Sequence, residues 1–531
     1  MKICKIRLFP DDVTIKTKPN TPLVDAIKEA EILLNLPCGG EGRCGKCVVR
    51  VISTPPAPSD EDRKFLSDES IKDGLRLACR LVVEEDIEIE IPKSTMLAGV
   101  GAKWEEVSVL RDRGEAAGEI ILSLDLGTTN IAGAIVDKTT GEILAQASVT
   151  NPQAVFGADV ISRINAVSKN PDDLKKLQKL VIESISDLTE KITHSIGLKK
   201  EDISGATLCG NPTMEHLFLG IDPVPIAYAP FTPQFTEAQK VKATDIGLPI
   251  NPDAEVYVFP VLSGYVGGDT LAFVWSSRIH ESEDIVLGID VGTNGEIVLG
   301  KRGTLLACSA AAGPAFEGSH IKHGMRADVG AIEAVKISNG KTELSIKGDV
   351  APRGICGSGL IDTVAEMLKE GIIDPKGRIN GDAVSSRYSD RIKKVDGVME
   401  FILYGNGAEA ISITQKDIRE VQLAKGAIRS GADILTEEMG IDPGDIKTVL
   451  IAGSFGNYLK AESIAKIGLV PKELKDRIRF VGDAALSGAV EAASDPDARR
   501  GIERLSEEIR YIELSSDKRF NDYFIRRLSF D

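Results

Sequence analysis

A glycine-rich loop near the start of the chain holds three closely spaced cysteines. Cys38, Cys44 and Cys47 have the spacing C-x5-C-x2-C, and Cys79 lies further along the chain. Disulfides are rare in a reducing cytosol, where a local cluster of thiols favours a metal site. Structural zinc and iron–sulfur clusters are both held by four thiolates. The first part of the chain is therefore predicted to fold around a metal centre held by these four cysteines.

The glycines of this loop favour an iron–sulfur cluster over zinc. A glycine backbone can wrap closely around a cluster, so that N–H groups point at its sulfur atoms. Zinc sites more often use paired C-x2-C hairpins, and this loop holds one such pair. A zinc ribbon and free buried thiols remain open as alternatives. Cys4, in the first predicted strand, is interpreted as a small buried hydrophobic residue.

The charge of the chain disfavours several classes of partner. Among 531 residues, 64 Lys and Arg stand against 80 Asp and Glu, for a net charge of −16. Extended nucleic-acid and anionic-membrane surfaces need clustered cations. No apolar run approaches the ~18 residues of a membrane span, and the start of the chain lacks the apolar core of a signal peptide. The protein is predicted to be cytoplasmic, with neither nucleic acid nor a membrane as a partner.

Three regions of the chain differ in sequence pattern. Residues 1–92 combine short alternating strands, a short helix and the cysteine loop, which indicates a compact α+β domain. Residues 93–118 carry glycines, mixed charge and few apolar positions, and are interpreted as a linker. Residues 119–531 alternate apolar strands that run into glycine-rich turns with long amphipathic helices, such as 172–196. This alternation predicts layered α/β structure.

Two similar turns follow apolar strands in the third region. They contain Asp125, Gly127, Thr128, Thr129 and Asn130 in the first turn, and Asp290, Gly292, Thr293 and Asn294 in the second. Glycine permits a tight turn whose N–H and hydroxyl groups can hold a phosphate, and the aspartate can hold Mg²⁺ through water. One such turn alone is weak evidence. Its recurrence predicts two related lobes that hold the β- and γ-phosphates of a nucleotide.

Both parts of the chain resemble known families. Residues 1–92 are similar to 2Fe–2S ferredoxin domains of the β-grasp fold, with one residue more in the loop than plant-type ferredoxins have. Residues 119–531 resemble the superfamily of acetate and sugar kinases, Hsp70 and actin. A connector at 264–270, an adenosine motif at 451–456 and a second connector at 482–485 accompany the two turns in order. The resemblance implies a two-lobed ATPase domain in which Gly453 and Gly456 lie against the adenosine of ATP.

Asp269 and Cys308 each have two interpretations. Asp269 begins a helix, where it either stabilises the helix dipole or orients the attacking water, as this position does in relatives. Asp125, Asp290 and Asp269 form the predicted catalytic set. The sequence around Cys308 resembles that of the activators of 2-hydroxyacyl-CoA dehydratases, which bridge a 4Fe–4S cluster between two subunits. Cys356 is the available second ligand, but its surroundings differ, so a structural role for Cys308 is favoured.

An electron-carrier domain joined to an ATPase domain of this kind is similar to the reductive activators of corrinoid proteins. The stretches 38–47, 124–130, 308–318 and 353–360 carry this resemblance, which covers nearly the whole chain. It implies a 2Fe–2S cluster, ATP and Mg²⁺, and ATP-dependent reduction of an inactive Co(II) corrinoid protein of a methyltransferase system to Co(I). It also implies a homodimer and an upstream electron donor, such as a ferredoxin, a flavodoxin or a flavin reductase.

Some relatives carry an additional middle domain before the ATPase domain, and residues 93–118 leave no room for it. Other functions also remain open at this point. The chain could be a dehydratase activator, a small-molecule kinase with a ferredoxin redox sensor, or an electron shuttle whose ATP fold is a scaffold. A kinase would turn over ATP with metabolites rather than with a corrinoid protein, and a shuttle would reduce its partner at the same rate without ATP.

Overall fold

The computed structural model of the chain describes all residues except 1–2, 11, 31, 33, 35, 37, 93–94, 96–106, 112–117, 381–386, 396, 408–409, 454–458 and 531. The chain divides into two compact units. The first comprises Met1–Thr207, Thr213–Gln234 and Lys240–Tyr257, and the second comprises Leu208–Pro212, Phe235–Gln239 and Val258–Asp531. The cysteine loop and the first predicted phosphate turn belong to the first unit, and the second turn belongs to the second unit.

The N-terminal domain is a small mixed sheet covered by short helices. Its elements are β1 (Cys4–Phe9), β2 (Val13–Thr17), β3 (Thr21–Pro22), α1 (Leu23–Glu29), β4 (Val48–Val51), α2 (Asp60–Phe65), α3 (Asp68–Lys72), β5 (Leu75–Leu77), β6 (Val82–Val83) and β7 (Ile87–Glu90). The sheet order is β2-β1-β7-β4-β5, with β1 antiparallel to β2 and parallel to β7. Alternate residues of β1 enter the core because strand side chains alternate between faces. Cys4 is one of them and is fully buried, so its interpretation as a core residue is confirmed.

The first lobe is a larger sheet that continues the first unit. Its elements are β8 (Ser108–Val109), β9 (Ile120–Leu126), β10 (Asn130–Asp137), β11 (Ile143–Thr150), α4 (Val160–Lys169), α5 (Asp173–Ser195), β12 (Ile203–Gly210), α6 (Pro212–Leu219), β13 (Gln239–Lys242), α7 (Ala243–Ile246) and β14 (Glu255–Val258). The sheet order is β13-β14-β12-β9-β10-β11-β8. Helix α5 matches the predicted helix and packs its apolar face on β10 and β11.

Part of the predicted linker belongs to this sheet. Ser108 and Val109 of β8 pair with Gln146 and Ala145 of β11, and the N–H of Leu110 donates to the carbonyl of Leu144 at 2.9 Å. The pairing satisfies backbone groups on the edge of β11 that would otherwise face solvent. Residues 108–110 are therefore part of the first lobe rather than a free connection.

The second unit is built on a six-stranded main sheet that contains three neighbouring parallel strands. Its elements are α8 (Gly268–Ser276), β15 (Val286–Val291), β16 (Gly295–Lys301), β17 (Thr304–Ala310), β18 (Ala331–Ser338), β19 (Lys341–Ile346), β20 (Gly354–Ile355), α9 (Gly357–Lys369), β21 (Ile392–Val395), β22 (Val398–Tyr404), β23 (Ile411–Thr414), α10 (Gln415–Met439), β24 (Thr448–Ala452), α11 (Ala461–Ile467), β25 (Ile478–Gly482), α12 (Ala484–Ser494), α13 (Pro496–Glu508), β26 (Arg510–Tyr511) and α14 (Lys518–Arg527). The main sheet has the order β25-β24-β15-β16-β17-β26, and β15, β24 and β25 are parallel. Helix α10 packs on β16 and β17 and begins at the predicted capping box of Thr414 and Asp417.

Helices α8 and α12, which follow the two predicted connector motifs, pack directly against each other. A Cβ atom added to Gly488 in α12 would lie 2.4 Å from the carbonyl oxygen of Ala272 in α8. The glycine therefore allows the two helix backbones to approach more closely than any larger residue would. The structure thus brings together two connectors that are more than 200 residues apart in sequence.

Candidate functional site

The cysteine loop brings its four predicted ligands together as two thiol pairs. The thiol of Cys44 donates a hydrogen bond to the sulfur of Cys38, and the thiol of Cys79 donates one to the sulfur of Cys47. Cys38 and Cys47 are buried, whereas Cys44 and Cys79 keep part of their surface exposed. The loop reaches this arrangement through glycines with positive φ, such as Gly40 at 82° and Gly42 at 72°.

Hydrogen bonds prepare one sulfur of each pair to carry negative charge. The Cys44 thiol and the backbone N–H groups of Arg43, Cys44 and Glu41 lower the pKa of Cys38 to about 5, against the effect of burial. The Cys79 thiol lowers the pKa of Cys47 in the same way, and the pKa values of the donors Cys44 and Cys79 are raised. N–H groups therefore point at sulfur, as the glycine pattern predicts.

The donor set fits a 2Fe–2S cluster better than a single metal ion. Among the residues that the structure describes, no group of three or more His, Cys, Asp or Glu side chains surrounds one point as a metal ion would need. Two irons bound by four cysteines require two protein thiolates each, and the structure provides two pairs. We therefore expect Cys38 and Cys44 to hold one iron, and Cys47 and Cys79 to hold the other.

The first predicted phosphate turn joins β9 and β10 in a hairpin. Asp125 lies opposite Ala132 and Leu126 opposite Ile131, so that residues 127–129 form the connection. A Cβ atom added to Gly127 would lie 2.7 Å from the carbonyl oxygen of Asn130, which makes glycine necessary for so tight a turn. Thr128 and Thr129 lie in this connection and Asn130 begins the next strand, as the sequence predicts.

Two polar residues from the interior of the first lobe hold this turn by its carbonyl groups. Asn151 donates from Nδ2 to the carbonyl of Gly127 at 2.9 Å and from its backbone N–H to the carbonyl of Thr129 at 2.8 Å. The fully buried Arg163, in α4, donates from Nη2 to the carbonyl of Thr128 at 2.5 Å. The sequence analysis missed both residues, because neither belongs to the turn motif and their distance from it in sequence conceals the contact.

The second predicted phosphate turn joins β15 and β16. Asp290 lies near the end of β15, and Gly292 donates its N–H to the carbonyl of Asn294 at 3.0 Å. The hydroxyl of Thr293 donates to Oε1 of Glu317 at 2.8 Å, and Glu317 ends a short 3-10 helix over Pro314–Glu317. The Thr293 side chain is therefore held by Glu317, a residue outside the hairpin of β15 and β16.

Three motifs of the second unit meet at one edge of its sheet. Asp290 pairs with Ala452 across the parallel strands β15 and β24, and Ala452 pairs with Gly482 across β24 and β25. Gly453 and Asp483 follow these strands directly, so they share the carboxyl edge with Asp290. Ligands of open α/β sheets bind at that edge. Gly456 of the adenosine motif lies outside the described residues.

The same edge gathers carboxylates that repel one another. Burial, then Asp269, Asp483 and Glu317, raises the pKa of Asp290 to about 7. Burial also raises the pKa of Asp269 to about 6, although the N–H and hydroxyl of Thr270 oppose the shift. Glu296 has a strongly raised pKa because it is buried beside Asp269 and Asp290. Burial and mutual repulsion therefore make these carboxyl groups harder to ionise, and a bound cation would relieve that repulsion.

Glu296 and Glu317 are members of this cluster that the sequence analysis missed. Glu296 lies in β16, where an acidic residue in an otherwise buried strand was the available signal. Glu317 lies in the stretch 308–318, in which the sequence analysis considered an individual role only for Cys308. Asp483 stood within the second connector, and its role at the N-cap of α12, accepting from the N–H of Leu486 at 2.8 Å, gave no reason to group it with Asp290.

Cys308 and Cys356 are structural residues in this fold. Cys308 lies in β17, fully buried, and burial raises the pKa of its thiol. A Cβ atom added to Gly431 in α10 would lie 3.2 Å from the sulfur of Cys308, so helix backbone covers the thiol. Cys356 is the N-cap residue of α9, and its thiol contacts the carbonyl of Ile332 and the hydroxyl of Ser358, both at 3.3 Å. Covered thiols of this kind do not support a cluster shared between subunits.

Comparison with known families matches most of the chain to three family models. The 2Fe–2S iron-sulfur cluster binding domain matches residues 6–84, the RACo middle region matches residues 120–282, and the C-terminal domain of RACo, the ASKHA domain, matches residues 284–531. These matches confirm the predicted ferredoxin domain followed by an actin- and Hsp70-like ATPase fold. The match to the RACo middle region lies within residues 119–531, the range that the sequence analysis assigned to the ATPase domain.

Two relatives and one solved structure are similar to this chain over most of its length. The corrinoid activation enzyme RamQ of Eubacterium limosum is 32% identical, with 94% of each chain covered. The [Co(II) methylated amine-specific corrinoid protein] reductase of Methanosarcina barkeri is 26% identical over 77% of this chain and 76% of its own. A solved structure of a reductive activator for a corrinoid, iron-sulfur protein superposes with a TM-score of 0.72 and 32% identity, covering 99% of this chain and 98% of that one. No helix within the described parts of the chain is long and apolar enough to cross a membrane.

Proposed function

The chain belongs to the RACo family of corrinoid activation enzymes, and we propose that it reduces the Co(II) state of a corrinoid protein to Co(I) with Mg·ATP as the energy source. It is a corrinoid protein reductase with an ASKHA ATPase domain. The observation that carries the proposal is the presence, in one chain, of a paired-thiol loop suited to electron transfer and of two phosphate turns suited to ATP.

We propose that one set of residues holds the cluster and that another set holds Mg²⁺. Cys38, Cys44, Cys47 and Cys79 would hold a 2Fe–2S cluster, which supplies one-electron transfer when bound. The N–H groups that point at Cys38 stabilise negative charge on its sulfur. Asp290 and Asp125, each at the end of a strand before its own turn, are proposed to hold Mg²⁺ through water and so to neutralise charge on the phosphates.

Asp269 is proposed to orient the water that attacks the terminal phosphate. Its pKa of about 6 leaves the carboxylate mostly ionised near neutral pH, where it can accept a hydrogen bond from water. The N–H of Thr270 donates to its Oδ1 at 2.7 Å and fixes the direction of the other oxygen. Positioning of this kind accounts for most of the catalysis of phosphoryl transfer.

ATP is needed because reduction of Co(II) to Co(I) is energetically uphill for a ferredoxin-type donor. Nucleotide can supply the difference only if it binds two states of the partner complex with different affinity. Closure of a two-lobed ATPase domain is a known form of such a change. We also propose that the chain forms a homodimer, which sedimentation tests. We further propose an upstream electron donor of the ferredoxin, flavodoxin or flavin reductase class, which reconstitution with each donor tests.

We expect Co(I) to form only when both ATP and a reductant are present. The measurement is anaerobic absorbance spectroscopy of a candidate corrinoid protein, in which the Co(II) band is replaced by the Co(I) band. Omission of ATP, of the reductant or of Mg²⁺ should each leave Co(II) in place. Co(I) formation at the full rate without ATP would instead identify the chain as an electron shuttle.

A further inference from the structure

One segment of the first unit contacts both the phosphate turn and the cysteine loop. We call residues 151–169, which include the 3-10 helix Pro152–Phe156 and α4, the bridging segment. Asn151 and Arg163 hold the carbonyl groups of the first phosphate turn. From these contacts we propose that the bridging segment couples nucleotide at the first phosphate turn to docking of the N-terminal domain on the first lobe. The proposal rests on nucleotide binding as proposed above.

The bridging segment touches the loop directly beside a predicted cluster ligand. A Cβ atom added to Gly39, which follows Cys38, would lie 3.1 Å from the carbonyl oxygen of Phe156 and 3.5 Å from Cβ of Ser162. The backbone of the loop at Gly39 therefore packs closely against the carbonyl of Phe156 and the side chain of Ser162. At the far end of α4, Nζ of Lys169 lies 3.0 Å from Oε1 of Glu41, which belongs to the same loop.

Lys28 in α1 provides the anchor of this contact on the N-terminal domain. Its Nζ lies 3.2 Å from the centre of the Phe156 ring and 3.8 Å from Oδ2 of Asp173, at the start of α5. Both of these contacts of Lys28 are with residues of the first lobe rather than of the N-terminal domain. A cation over an aromatic ring and a single ion pair at 3.8 Å, such as that between the partly covered Lys28 and the buried Asp173, each shift a docking equilibrium by about tenfold or less. Contacts of this strength hold the domain and still permit its release.

The coupling follows from how the turn is held. A phosphate drawn to the N–H and hydroxyl groups of the turn displaces a backbone whose three carbonyl groups, of Gly127, Thr128 and Thr129, are bonded to Asn151 and Arg163. Those two residues cannot follow the turn without moving Phe156 and α4, which carry the docking contacts. Nucleotide thereby gains different interaction free energies with the docked and released states, which is the requirement for coupling.

The test is hydrogen–deuterium exchange of the cluster-loaded full chain, read at residues 38–47 and 160–169, with and without a non-hydrolysable Mg·ATP analogue. Lys28→Glu should place a carboxylate against Asp173 and increase exchange at both sites about fivefold without nucleotide. Lys28→Arg keeps the charge and should retain the wild-type exchange. Lys72→Glu, an equal charge reversal at an exposed position of α3, is the matched control and should also leave exchange unchanged.

In the wild type, the analogue should change exchange of the cysteine loop by about threefold, and in Lys28→Glu this response should disappear. Calorimetry should still show binding of the analogue to Lys28→Glu, with an affinity changed by about threefold or less, because the coupling between docking and binding is reciprocal. If Lys28→Glu exchanges like Lys72→Glu, the docking contact is refuted. If the analogue binds and leaves residues 38–47 unchanged in the wild type, the coupling is refuted. If calorimetry detects no binding, the proposed nucleotide function fails instead, and the docking contact is still decided by the nucleotide-free comparison.

Discussion

A Cys79→Ala variant is expected to lose its iron and acid-labile sulfide and, with them, all reduction of the corrinoid protein. Cys79 is one of the two thiols proposed for the second iron, and its partner Cys47 cannot retain that iron alone. ATP hydrolysis should persist, because the apolar core of the N-terminal domain is separate from the apolar core of the second unit. Metal and sulfide analysis, EPR of the reduced protein and phosphate release measure the three effects.

Cys4→Ala is the matched control for this prediction. Cys4 belongs to the same domain and is fully buried, but it lies in β1, away from the loop. Its removal should therefore leave a full cluster and cost only the packing of one sulfur atom. One zinc ion per chain in the wild type, or a 4Fe–4S EPR signal, would refute the cluster assignment. A full 2Fe–2S signal in Cys79→Ala would refute the choice of the fourth ligand.

Asp290→Asn is expected to lower the rate of Mg·ATP hydrolysis by about 10²-fold or more. The carboxylate is proposed to place the metal that neutralises charge on the phosphates, and an amide cannot supply that negative charge. Asp284→Asn, at an exposed position just before β15, is the matched control and should hydrolyse ATP at the wild-type rate. Calorimetric affinity for Mg·ATP and turnover that both equal those of the wild type would refute the assignment of Asp290.

The same variant should stabilise the protein in the absence of nucleotide and Mg²⁺. Burial and the neighbouring carboxylates raise the pKa of Asp290 from 3.8 to about 7. The folded protein then retains a proton that the unfolded chain has released, so this group lowers the free energy of unfolding as pH rises from about 4 to 7. Asparagine has no such proton. Thermal melts in EDTA should show a higher Tm for Asp290→Asn than for the wild type above pH 7. Between about pH 4 and pH 7, the Tm of the variant should fall less than that of the wild type. The same dependence of Tm on pH in both proteins would contradict this prediction.

The chemistry of both sites was accessible from sequence because each lies in a short contiguous motif. The spacing of Cys38, Cys44 and Cys47 and the two Asp-x-Gly-Thr turns specify local backbone geometry, and that geometry depends on neighbouring residues along the chain. Strand positions such as Ile120–Leu126 and the capping box of Thr414 and Asp417 are likewise local. Their physical basis is periodicity and hydrogen bonding over a few residues, which a sequence displays directly.

What only the tertiary structure decided depends on residues that are distant in sequence. Burial, and then Asp269 and Asp483, raise the pKa of Asp290, because parallel strands end at one sheet edge and connector helices begin there. No single motif reveals this arrangement. Arg163 holds the first turn from inside the lobe, and Lys28 lies over Phe156, through contacts that form only when separate elements pack. Electrostatic shifts and docking contacts arise from proximity in space, so the sequence by itself determined the ligands and turns, and the fold determined how they act on one another.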